Sequence, residues 1–251
     1  MFYQHAKISK ISEENPRVKT FILDCDLKTE PGQFLMLWIP ESGERPMSIA
    51  GANPLTLSIA NVGKVSASIH SKKVGDRIFF RGPLGKPFTF QSSYKRIVLV
   101  GGGYGVAPLR FLASAAAKKK ISVKLIMGAK TKGELMASPD KKICETIITT
   151  DDGSEGQKGF TTDALTNLLA DNSSTPDAVY ACGPELMMKK VAEICKQNKI
   201  PCQVSLERIM KCGIGLCGSC SVDGKLCCCE GPVFTGDEAL GVKEFGSPQK
   251  K

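Results

Sequence analysis

The sequence predicts a β-barrel plus α/β fold with a cysteine-rich segment at its C-terminal end. Residues 1–95 consist of short strand-like runs separated by turns, whereas apolar strands alternate with helical stretches from residue 96 onward. Six of the eleven cysteines then lie within residues 212–229. We therefore divide the chain into an antiparallel barrel at residues 1–95, a parallel-sheet domain at residues 96–205 and a metal-binding segment at residues 206–251.

The predicted strands of the first domain are short apolar runs with turn residues at their ends. These runs are Phe34–Ile39, Leu55–Val62 and Asp76–Gly82, and Pro31-Gly32 and Asn53-Pro54 are two of the turns between them. No amphipathic helix of useful length is expected in this part of the chain. A small antiparallel barrel is the natural architecture, because closing the sheet leaves no exposed strand edge.

A change of pattern at residue 96 marks the second domain. Residues 96–120 have the pattern of a buried strand, a glycine turn and a helix. The further predicted strands are Val123–Ala129, Glu145–Thr150, Ala178–Gly183 and Pro201–Glu207, and the further predicted helices are Thr162–Leu169 and Glu185–Asn198. Strands that alternate with helices indicate a parallel sheet covered by helices.

Composition and charge argue against two classes of function. The formal net charge of +9 comes from lysines spread along the chain, which argues against nucleic-acid binding. The one dense run, Lys118-Lys119-Lys120, fits the last turn of a helix, where cations complement the helix dipole. No apolar run approaches the roughly 18 residues that span a bilayer, and the N-terminus lacks the apolar core of a signal peptide. We therefore expect a cytoplasmic protein with no membrane partner.

The cysteine spacing is the most specific signal in the chain. Cys212, Cys217 and Cys220 form a C-x4-C-x2-C pattern, and the run Cys227-Cys228-Cys229 follows it. This spacing is typical of plant-type [2Fe–2S] ligation by four thiolates, whereas zinc sites usually combine two short CxxC gaps. A zinc site and a disulfide knot are the alternatives, although clustered cysteines in the reducing cytoplasm bind metal more often than they pair. About forty residues are too few to bury a core of their own, so we expect the metal to hold this segment.

Glycines in the cysteine segment support a loop that wraps closely around a cluster. Gly213, Gly215 and Gly218 lie between the first three cysteines. Glycine readily adopts positive φ, and a loop that must curve tightly around a metal group needs such residues. The glycines therefore favour the cluster interpretation of the cysteine spacing.

A second glycine-rich loop, Gly101–Pro108, follows the predicted strand Ile97–Val100 and opens a helix. Its backbone N–H groups are suited to a phosphate at the helix N-terminus. The loop departs from the G-x-G-x-x-G pattern because Val106 occupies the place of the third glycine, and by itself it could be only a tight connection. A second predicted strand ends in Ala181–Glu185 at the same edge, and two such strand ends indicate a ligand crevice.

The barrel domain contains two weaker motifs. Arg45-Pro46-Met47-Ser48-Ile49 follows a strand and a polar turn, and Gly82-Pro83-Leu84-Gly85 precedes the change of pattern. An arginine offers a bidentate fork for a pyrophosphate, and a nearby hydroxyl can reach a planar ring. Taken alone, each motif is better explained as an ordinary β-turn.

In their order along the chain these motifs resemble the ferredoxin-reductase-type flavoprotein family. That family has an Arg-Pro-x-Ser motif in its barrel, a Gly-Pro-Leu-Gly turn, a glycine loop ending in Ala-Pro, and a Cys-Gly-Pro near the end. With the cluster segment after the nucleotide domain, nearly the whole chain resembles the electron-transfer subunits of class B, NAD-linked dihydroorotate dehydrogenases. Similar subunits serve ferredoxin:NADP reductase and sulfide dehydrogenase complexes, which are the alternative.

The resemblance implies a role for each site residue. The implied FAD-binding residues are Arg45 for the pyrophosphate, Pro46, Met47 and Ser48 beside the isoalloxazine, and Gly63 and Ser66 in a phosphate loop. That loop has Val65 where the family has a second glycine. The nicotinamide crevice would be lined by Gly102, Gly103, Gly105 and Cys182. The cluster would be held by Cys212, Cys217, Cys220 and Cys228, with Cys227 and Cys229 as spare thiols.

The resemblance also implies what the protein does. Electrons would pass between NAD(H), FAD and the [2Fe–2S] cluster, to or from a dihydroorotate dehydrogenase in pyrimidine biosynthesis. No general acid or base is expected in this chain, because the carbon chemistry would belong to an FMN-containing catalytic subunit in a heterotetramer. The choice between NAD and NADP stays open. Lys130 and Lys132 are the candidates for contact with a 2′-phosphate, although a solvated surface position explains both lysines better. A zinc-stabilised nucleotide-binding regulator is the alternative from a different class.

Overall fold

The computed structural model describes residues 2–171 and 175–247, and its first part is the predicted barrel. The six barrel strands are β1 (Gln4–Asn15), β2 (Val18–Leu23), β3 (Phe34–Ile39), β4 (Gly43–Ala52), β5 (Leu55–Ala60) and β6 (Arg77–Leu84). They close in the order β1-β2-β5-β4-β3-β6, and every neighbouring pair is antiparallel. Alternate side chains point inward, so large apolar residues such as Phe21, Leu37 and Phe80 fill the interior.

The barrel differs from the prediction at two places. A helix, α1 (Lys64–His70), lies between β5 and β6, although no useful helix was expected there. It has two turns, which is too short for a helical period to be recognised in the sequence. The segment Arg45–Ile49 follows β3 and the turn at residues 40–42, as predicted, but it is not itself a β-turn, because it lies inside β4, which begins at Gly43 and pairs with β3.

The second part is a parallel sheet with helices on both faces. Its strands are β7 (Arg96–Gly102), β8 (Ser122–Ala129), β9 (Glu145–Thr150), β10 (Gln157–Lys158), β11 (Ala178–Cys182) and β12 (Cys202–Ser205). Its helices are α2 (Val106–Lys118), α3 (Thr161–Ala170) and α4 (Glu185–Gln197), with short 3-10 turns at Gly103–Gly105 and Lys132–Glu134. The order β10-β9-β8-β7-β11-β12 confirms the predicted parallel-sheet architecture.

Strand β7 shows how the sheet buries both faces. Val98 and Val100 belong to a cluster with residues of α3 and α4, whereas Ile97 and Leu99 belong to a second cluster with residues of α2. Side chains alternate between the two faces of a strand, so a strand covered on both sides is apolar throughout. The run of apolar residues in the sequence therefore reflects a central, doubly covered strand.

The C-terminal segment completes the parallel-sheet domain. It contains β13 (Ser221–Val222), β14 (Lys225–Leu226), α5 (Cys227–Glu230), β15 (Val233–Thr235) and α6 (Gly236–Leu240). Strand β15 pairs antiparallel with β12, and Val222, Phe234 and Phe245 join the cluster that packs under α4. The expectation that the metal alone holds this segment is therefore wrong. The segment has no core of its own, but it adds apolar side chains to the core beside it.

One buried polar network joins the barrel to the second domain. Glu14 at the end of β1 accepts two hydrogen bonds from the Arg110 guanidinium on α2, at 2.8 and 3.1 Å. The same carboxylate accepts from Thr20 Oγ1 at 2.6 Å and from the Ala137 N–H at 3.0 Å. This network holds the two sheets in a defined orientation across the crevice between them.

The longest helices of the structure, α2 and α4, have 13 residues each. Across residues 2–171 and 175–247, no helix has both the length and the apolar character that a membrane crossing requires.

Candidate functional site

The loop from Cys212 to Cys220 lies between β12 and β13 and turns on its three glycines. Gly213, Gly215 and Gly218 have φ values of +67°, +80° and +69°. A side chain would strain the backbone at each of these values. The sequence-based expectation of positive φ at these glycines is therefore confirmed.

Backbone and hydroxyl groups of this loop surround the first two thiols. Cys212 Sγ accepts N–H bonds from Leu216 and Cys217, at 3.3 and 3.4 Å. Such hydrogen bonds from backbone N–H groups lower the pKa of the Cys212 thiol. Hydrogen bonds from the Ser219 hydroxyl and backbone N–H lower the pKa of Cys217 to about 6. Both sulfurs are thus prepared to carry the negative charge of a metal-bound thiolate.

The other two candidate ligands, Cys220 and Cys228, are more buried. The Cys228 N–H points to Cys220 Sγ at 3.4 Å, and the Gly215 N–H points to Cys228 Sγ at 3.3 Å. Burial raises the pKa of Cys220 to about 11 and also raises the pKa of Cys228. These thiols would lose their protons when a cation binds, because metal binding and deprotonation are coupled.

The four thiols form two pairs rather than one group. Cys217 is hydrogen-bonded to Cys212, and Cys228 is hydrogen-bonded to Cys220. Within the described part of the chain, no three Cys, His, Asp or Glu side chains converge as ligands of a single ion. A [2Fe–2S] cluster takes two thiolates on each of its two irons, and two neighbouring pairs of thiols fit that arrangement.

The remaining two cysteines of the segment lie in different surroundings. Cys227 is fully buried, its thiol donates to the Leu206 carbonyl at 3.8 Å, and burial raises its pKa to about 12. Cys229 is exposed, with its sulfur 3.7 Å from Cys228 Sγ. Cys227 therefore belongs to the core, whereas Cys229 is the nearer competitor of Cys228 for the fourth ligand position.

The glycine loop after β7 packs directly against the end of β11. A Cβ on Gly105 would lie 2.4 Å from the Cys182 carbonyl oxygen, and a Cβ on Gly102 would lie 2.7 Å from Pro184 Cδ. Gly103 has a φ of +53° and faces open space. The structure thus brings together the two strand ends that the sequence placed at one edge of the sheet.

A cavity of about 560 Å³ opens at this edge. Its lining includes Gly102, Gly103 and Tyr104 after β7, Lys130 after β8, and Asp151 after β9. Parallel strands place ligand crevices at their carboxyl ends, and a volume of this size accommodates part of a dinucleotide. Lys132 instead pairs with Glu155 at 3.0 Å and does not line the cavity.

Sequence reasoning missed several residues of this cavity. Thr161 and Thr162 at the start of α3 line it, as do Asn15 and Arg17 from the barrel. The threonines begin a helix next to the end of β10, so the rule that strand ends share an edge could have identified them. The barrel residues could not be identified in this way, because only the closure of the two domains brings them to the sheet.

Cys182 and Gly105, which were also predicted for the crevice, do not line this cavity, and the Cys182 thiol is buried. Burial raises the pKa of Cys182 to about 12, so the thiol stays neutral at physiological pH. At the rim, the Tyr104 hydroxyl donates to the Glu207 carboxylate at 3.3 Å. Burial, followed by the Glu207 charge, raises the pKa of Tyr104 to about 12. Cys182 and Tyr104 are therefore a neutral thiol and a neutral phenol that both lie near the Glu207 carboxylate.

The candidate flavin residues lie on β4, where Met47 packs against the core of the barrel. Arg45 and Ser48 on β4 are exposed, while Pro46 and Met47 are half-buried. The Arg45 guanidinium donates to the Glu44 carbonyl at 2.8 Å, which leaves most of its donors toward solvent. An exposed arginine fork beside a half-buried methionine suits a ligand with an anionic group and a flat ring.

The predicted phosphate loop starts α1 with Gly63 at its N-cap. The Ser66 hydroxyl donates to the Gly63 carbonyl at 2.9 Å and accepts from the N–H groups of Val62 and Gly63, both at 2.9 Å. This hydroxyl therefore caps the helix, and the donor expected for a phosphate is already used. Val65 is buried in the barrel core, so its side chain does not obstruct the outer side of the loop.

The chain matches two protein-family models. Residues 207–240 match the iron-sulfur cluster binding domain of dihydroorotate dehydrogenase B, and residues 99–193 match an oxidoreductase NAD-binding domain. The first match covers the cysteine pairs, and the second covers the glycine loop and the crevice.

The chain is also similar to named proteins over nearly its whole length. It is 44% identical to a probable dihydroorotate dehydrogenase B (NAD(+)) electron transfer subunit of Methanocaldococcus jannaschii, covering 96% of this chain and 92% of that one. It is 38% identical to the corresponding protein of Thermococcus kodakarensis, covering 96% and 99%.

Among solved structures, the fold is similar to that of an NADH-dependent reduced ferredoxin-NADP oxidoreductase. The TM-score is 0.83 with 32% identity, over 95% of this chain and 89% of that one. A ferredoxin reductase of carbazole 1,9a-dioxygenase shares the fold at a TM-score of 0.70 and 21% identity, over 79% and 66% of the two chains.

Replacing Gly105 by alanine is expected to widen the crevice and weaken NADH binding. The new methyl group would meet backbone atoms of Cys182 and Gly183 at 2.4 to 2.7 Å, and these atoms cannot yield without moving β11. We expect the KM for NADH in a dye-reduction assay to rise roughly tenfold, with a loss of about 1–3 kcal/mol in the free energy of unfolding.

Gly133→Ala is the matched control, because its Cβ would meet no atom closer than 3.8 Å. An unchanged KM for Gly105→Ala would show that the close contact between the loop and β11 does not shape the NADH site.

Proposed function

Because this chain belongs to the family of dihydroorotate dehydrogenase B (NAD(+)) electron-transfer subunits, we propose that its two domains and its cysteine segment form one electron-transfer path. The protein is an oxidoreductase subunit whose cofactors are FAD, a [2Fe–2S] cluster and NAD(H). Its partner is a catalytic dihydroorotate dehydrogenase subunit, in the synthesis of pyrimidines. The assignment of individual residues, the composition of the complex and its location are our proposals.

We assign NAD(H) to the cavity at the carboxyl ends of the parallel strands. Gly102, Gly103 and Gly105 would bring backbone N–H groups to the phosphates, and the N-terminus of α2 would favour their charge. Cys182 would lie beside the nicotinamide as a neutral thiol, because its burial disfavours the thiolate. A neutral thiol at this position would not exchange protons with the substrate.

We assign FAD to the outer face of the barrel that carries β4. Arg45 would bind the pyrophosphate with its free guanidinium donors, and Pro46, Met47 and Ser48 would line the ring. Gly63 would contribute backbone at the start of α1, while Ser66 would support that loop through its capping bonds. When bound, the flavin supplies the exchange between two-electron and one-electron chemistry that a nicotinamide and an iron–sulfur cluster require.

We assign the cluster to Cys212, Cys217, Cys220 and Cys228. The two pairs, Cys212 with Cys217 and Cys220 with Cys228, are the observation that carries the proposal, since they match two thiolates per iron. The N–H groups of Leu216, Cys217 and Gly215 would donate to the ligand sulfurs and stabilise the negative charge of the bound cluster.

We propose that the partner subunit contains FMN and that two copies of each chain form a heterotetramer. The proposal is supported by the family, whose members are named as electron transfer subunits of a dihydroorotate dehydrogenase. We also propose a cytoplasmic location, because a reducing compartment keeps clustered cysteines available as metal ligands.

A ferredoxin-linked role is the second candidate. It is supported by the similarity to the ferredoxin-NADP oxidoreductase, at 32% identity. The higher identity of 44% to the dihydroorotate dehydrogenase B subunit favours the first candidate.

The test is the visible spectrum of the anaerobically purified protein, with iron, sulfide and flavin quantified, before and after NADH is added. We expect about two irons and two sulfides per chain and one bound FAD, with bleaching by NADH. Dihydroorotate should then reduce the protein only when the FMN-containing subunit is present. Zinc without flavin would contradict the proposal, and reduction by ferredoxin but not through the dihydroorotate dehydrogenase would favour the second candidate.

A further inference from the structure

A buried ion pair on the barrel wall contacts the loop of the cysteine segment. Arg81 on β6 and Glu44 on β4 lie on the two sides of β3 and form a bidentate pair, with Nε to Oε1 at 2.6 Å and Nη2 to Oε2 at 2.8 Å. Their side chains are 10% and 17% exposed. The Tyr3 hydroxyl also donates to Glu44 Oε1, at 3.0 Å. These bonds fix the orientation of the guanidinium.

The same guanidinium holds the first cysteine of the loop. Arg81 Nη2 donates to the Cys212 carbonyl oxygen at 2.6 Å, although the two residues are 131 positions apart in the sequence. The next residue, Gly213, presses against the barrel, since a Cβ there would lie 2.9 Å from Met36 Cγ. The loop is therefore attached to the barrel wall at the point where its first thiol is presented.

We propose that Arg81 positions the cluster on the barrel and that the Arg81–Glu44 pair tunes the reduction potential of the cluster. This inference rests on the assignment of Cys212 as a cluster ligand under the proposed function. The positive charge lies one hydrogen bond from the backbone of the ligand residue, and positive charge near a cluster favours its reduced form. Glu44 offsets that charge, so the two partners act in opposite directions.

Opposite charge changes should therefore shift the potential in opposite directions. Arg81→Gln leaves the Glu44 carboxylate without its partner and is expected to lower the potential. Glu44→Gln leaves the Arg81 charge uncompensated and is expected to raise it. In each case, we expect roughly a tenfold change in the ratio of reduced to oxidised cluster at a fixed potential. A residue that only stabilised the fold would not produce shifts of opposite sign.

The experiment is a redox titration of the full chain with its cluster and FAD bound, followed by electron paramagnetic resonance. Arg81→Lys keeps the charge but loses the two-pronged geometry, so its potential should stay near that of the natural protein. Arg77→Gln is the matched control, because Arg77 is exposed and lies on the same outward face of β6. Arg77 lies about 13 Å along the strand from Arg81, which is more than the length over which salt screens charges. Its replacement is therefore not expected to shift the reduction potential.

Potentials that are unchanged in both Arg81→Gln and Glu44→Gln, with normal iron content, would overturn the inference. If Arg81→Gln fails to fold or loses iron, the reduction potential of Glu44→Gln tests the inference instead, because that variant keeps the hydrogen bond from Arg81 to Cys212. A raised potential then supports the inference, and an unchanged one overturns it. Iron content in Cys212→Ser separates this outcome from a failure of the ligand assignment, because a full cluster in that variant would show that Cys212 is not a ligand.

Discussion

Replacing Cys228 by serine is expected to remove the iron–sulfur cluster and to stop electron transfer to the catalytic subunit. Cys228 forms a pair with Cys220 and accepts the Gly215 N–H, so its loss would leave one iron with a single thiolate. We expect at least a roughly 100-fold loss of dihydroorotate-dependent NAD+ reduction by the complex. NADH oxidation by a two-electron dye should persist, because the flavin and nicotinamide regions are unchanged. Iron and sulfide per chain are the direct measurement.

The neighbouring cysteines provide the controls for this result. Cys229→Ser should keep the cluster, since Cys229 is exposed and its nearest sulfur contact is Cys228 itself, at 3.7 Å. Cys227→Ser should also keep it but lower stability, because the thiol is buried in the core and a hydroxyl there is costly. Loss of iron from Cys229→Ser but not from Cys228→Ser would assign the fourth ligand to Cys229.

Arg110→Met is expected to destabilise the protein by about 3–5 kcal/mol. The Glu14 carboxylate is 7% exposed and takes two of its four hydrogen bonds from the Arg110 guanidinium. Without Arg110, the structure must bury an unpaired charge or protonate it, and either change costs free energy. The measurement is the free energy of unfolding in urea. Lys124→Met is the control, because its pair with Glu145 is exposed and contributes about 0–1 kcal/mol.

Acid provides a second measurement on the same pair. Burial opposes ionisation of Glu14, but hydrogen bonds from Arg110 and Thr20 outweigh it and lower the pKa of the carboxyl. A pKa that is lower in the folded state adds stability above the unfolded value, and this stability is lost as pH falls through the folded pKa. Glu14→Gln should therefore flatten the loss of stability below about pH 4. If the free energy of unfolding falls equally with pH in Glu14→Gln and in the natural protein, the Glu14 carboxylate does not cause the loss of stability in acid.

Most of the architecture could be predicted because its signals are local. The strand Phe34–Ile39 has the predicted bounds, and the apolar run before Gly101 became the central strand β7. The short helix α1 could not be predicted, because seven residues do not establish a helical period. Strand β15 was also missed, since three residues carry no clear alternation and gain their structure only by pairing with β12.

The candidate site likewise has parts that local sequence signals predict and parts that depend on packing. The spacing of Cys212, Cys217 and Cys220 and the glycines between them act within one loop, so the sequence by itself determined the type of metal centre. The glycines after β7 likewise act within a single turn, and they predicted the crevice to which we assign NAD(H).

Only the tertiary structure decided how these local parts are joined. Arg81 meets Cys212 across 131 positions, and Arg110 meets Glu14 across 96. Neither contact can be predicted from the spacing of residues, because each depends on how the barrel, the parallel sheet and the cysteine segment pack together. A buried charge needs a partner of opposite charge or a hydrogen-bonding group. Packing of the folded chain determines which residue lies close enough to be that partner.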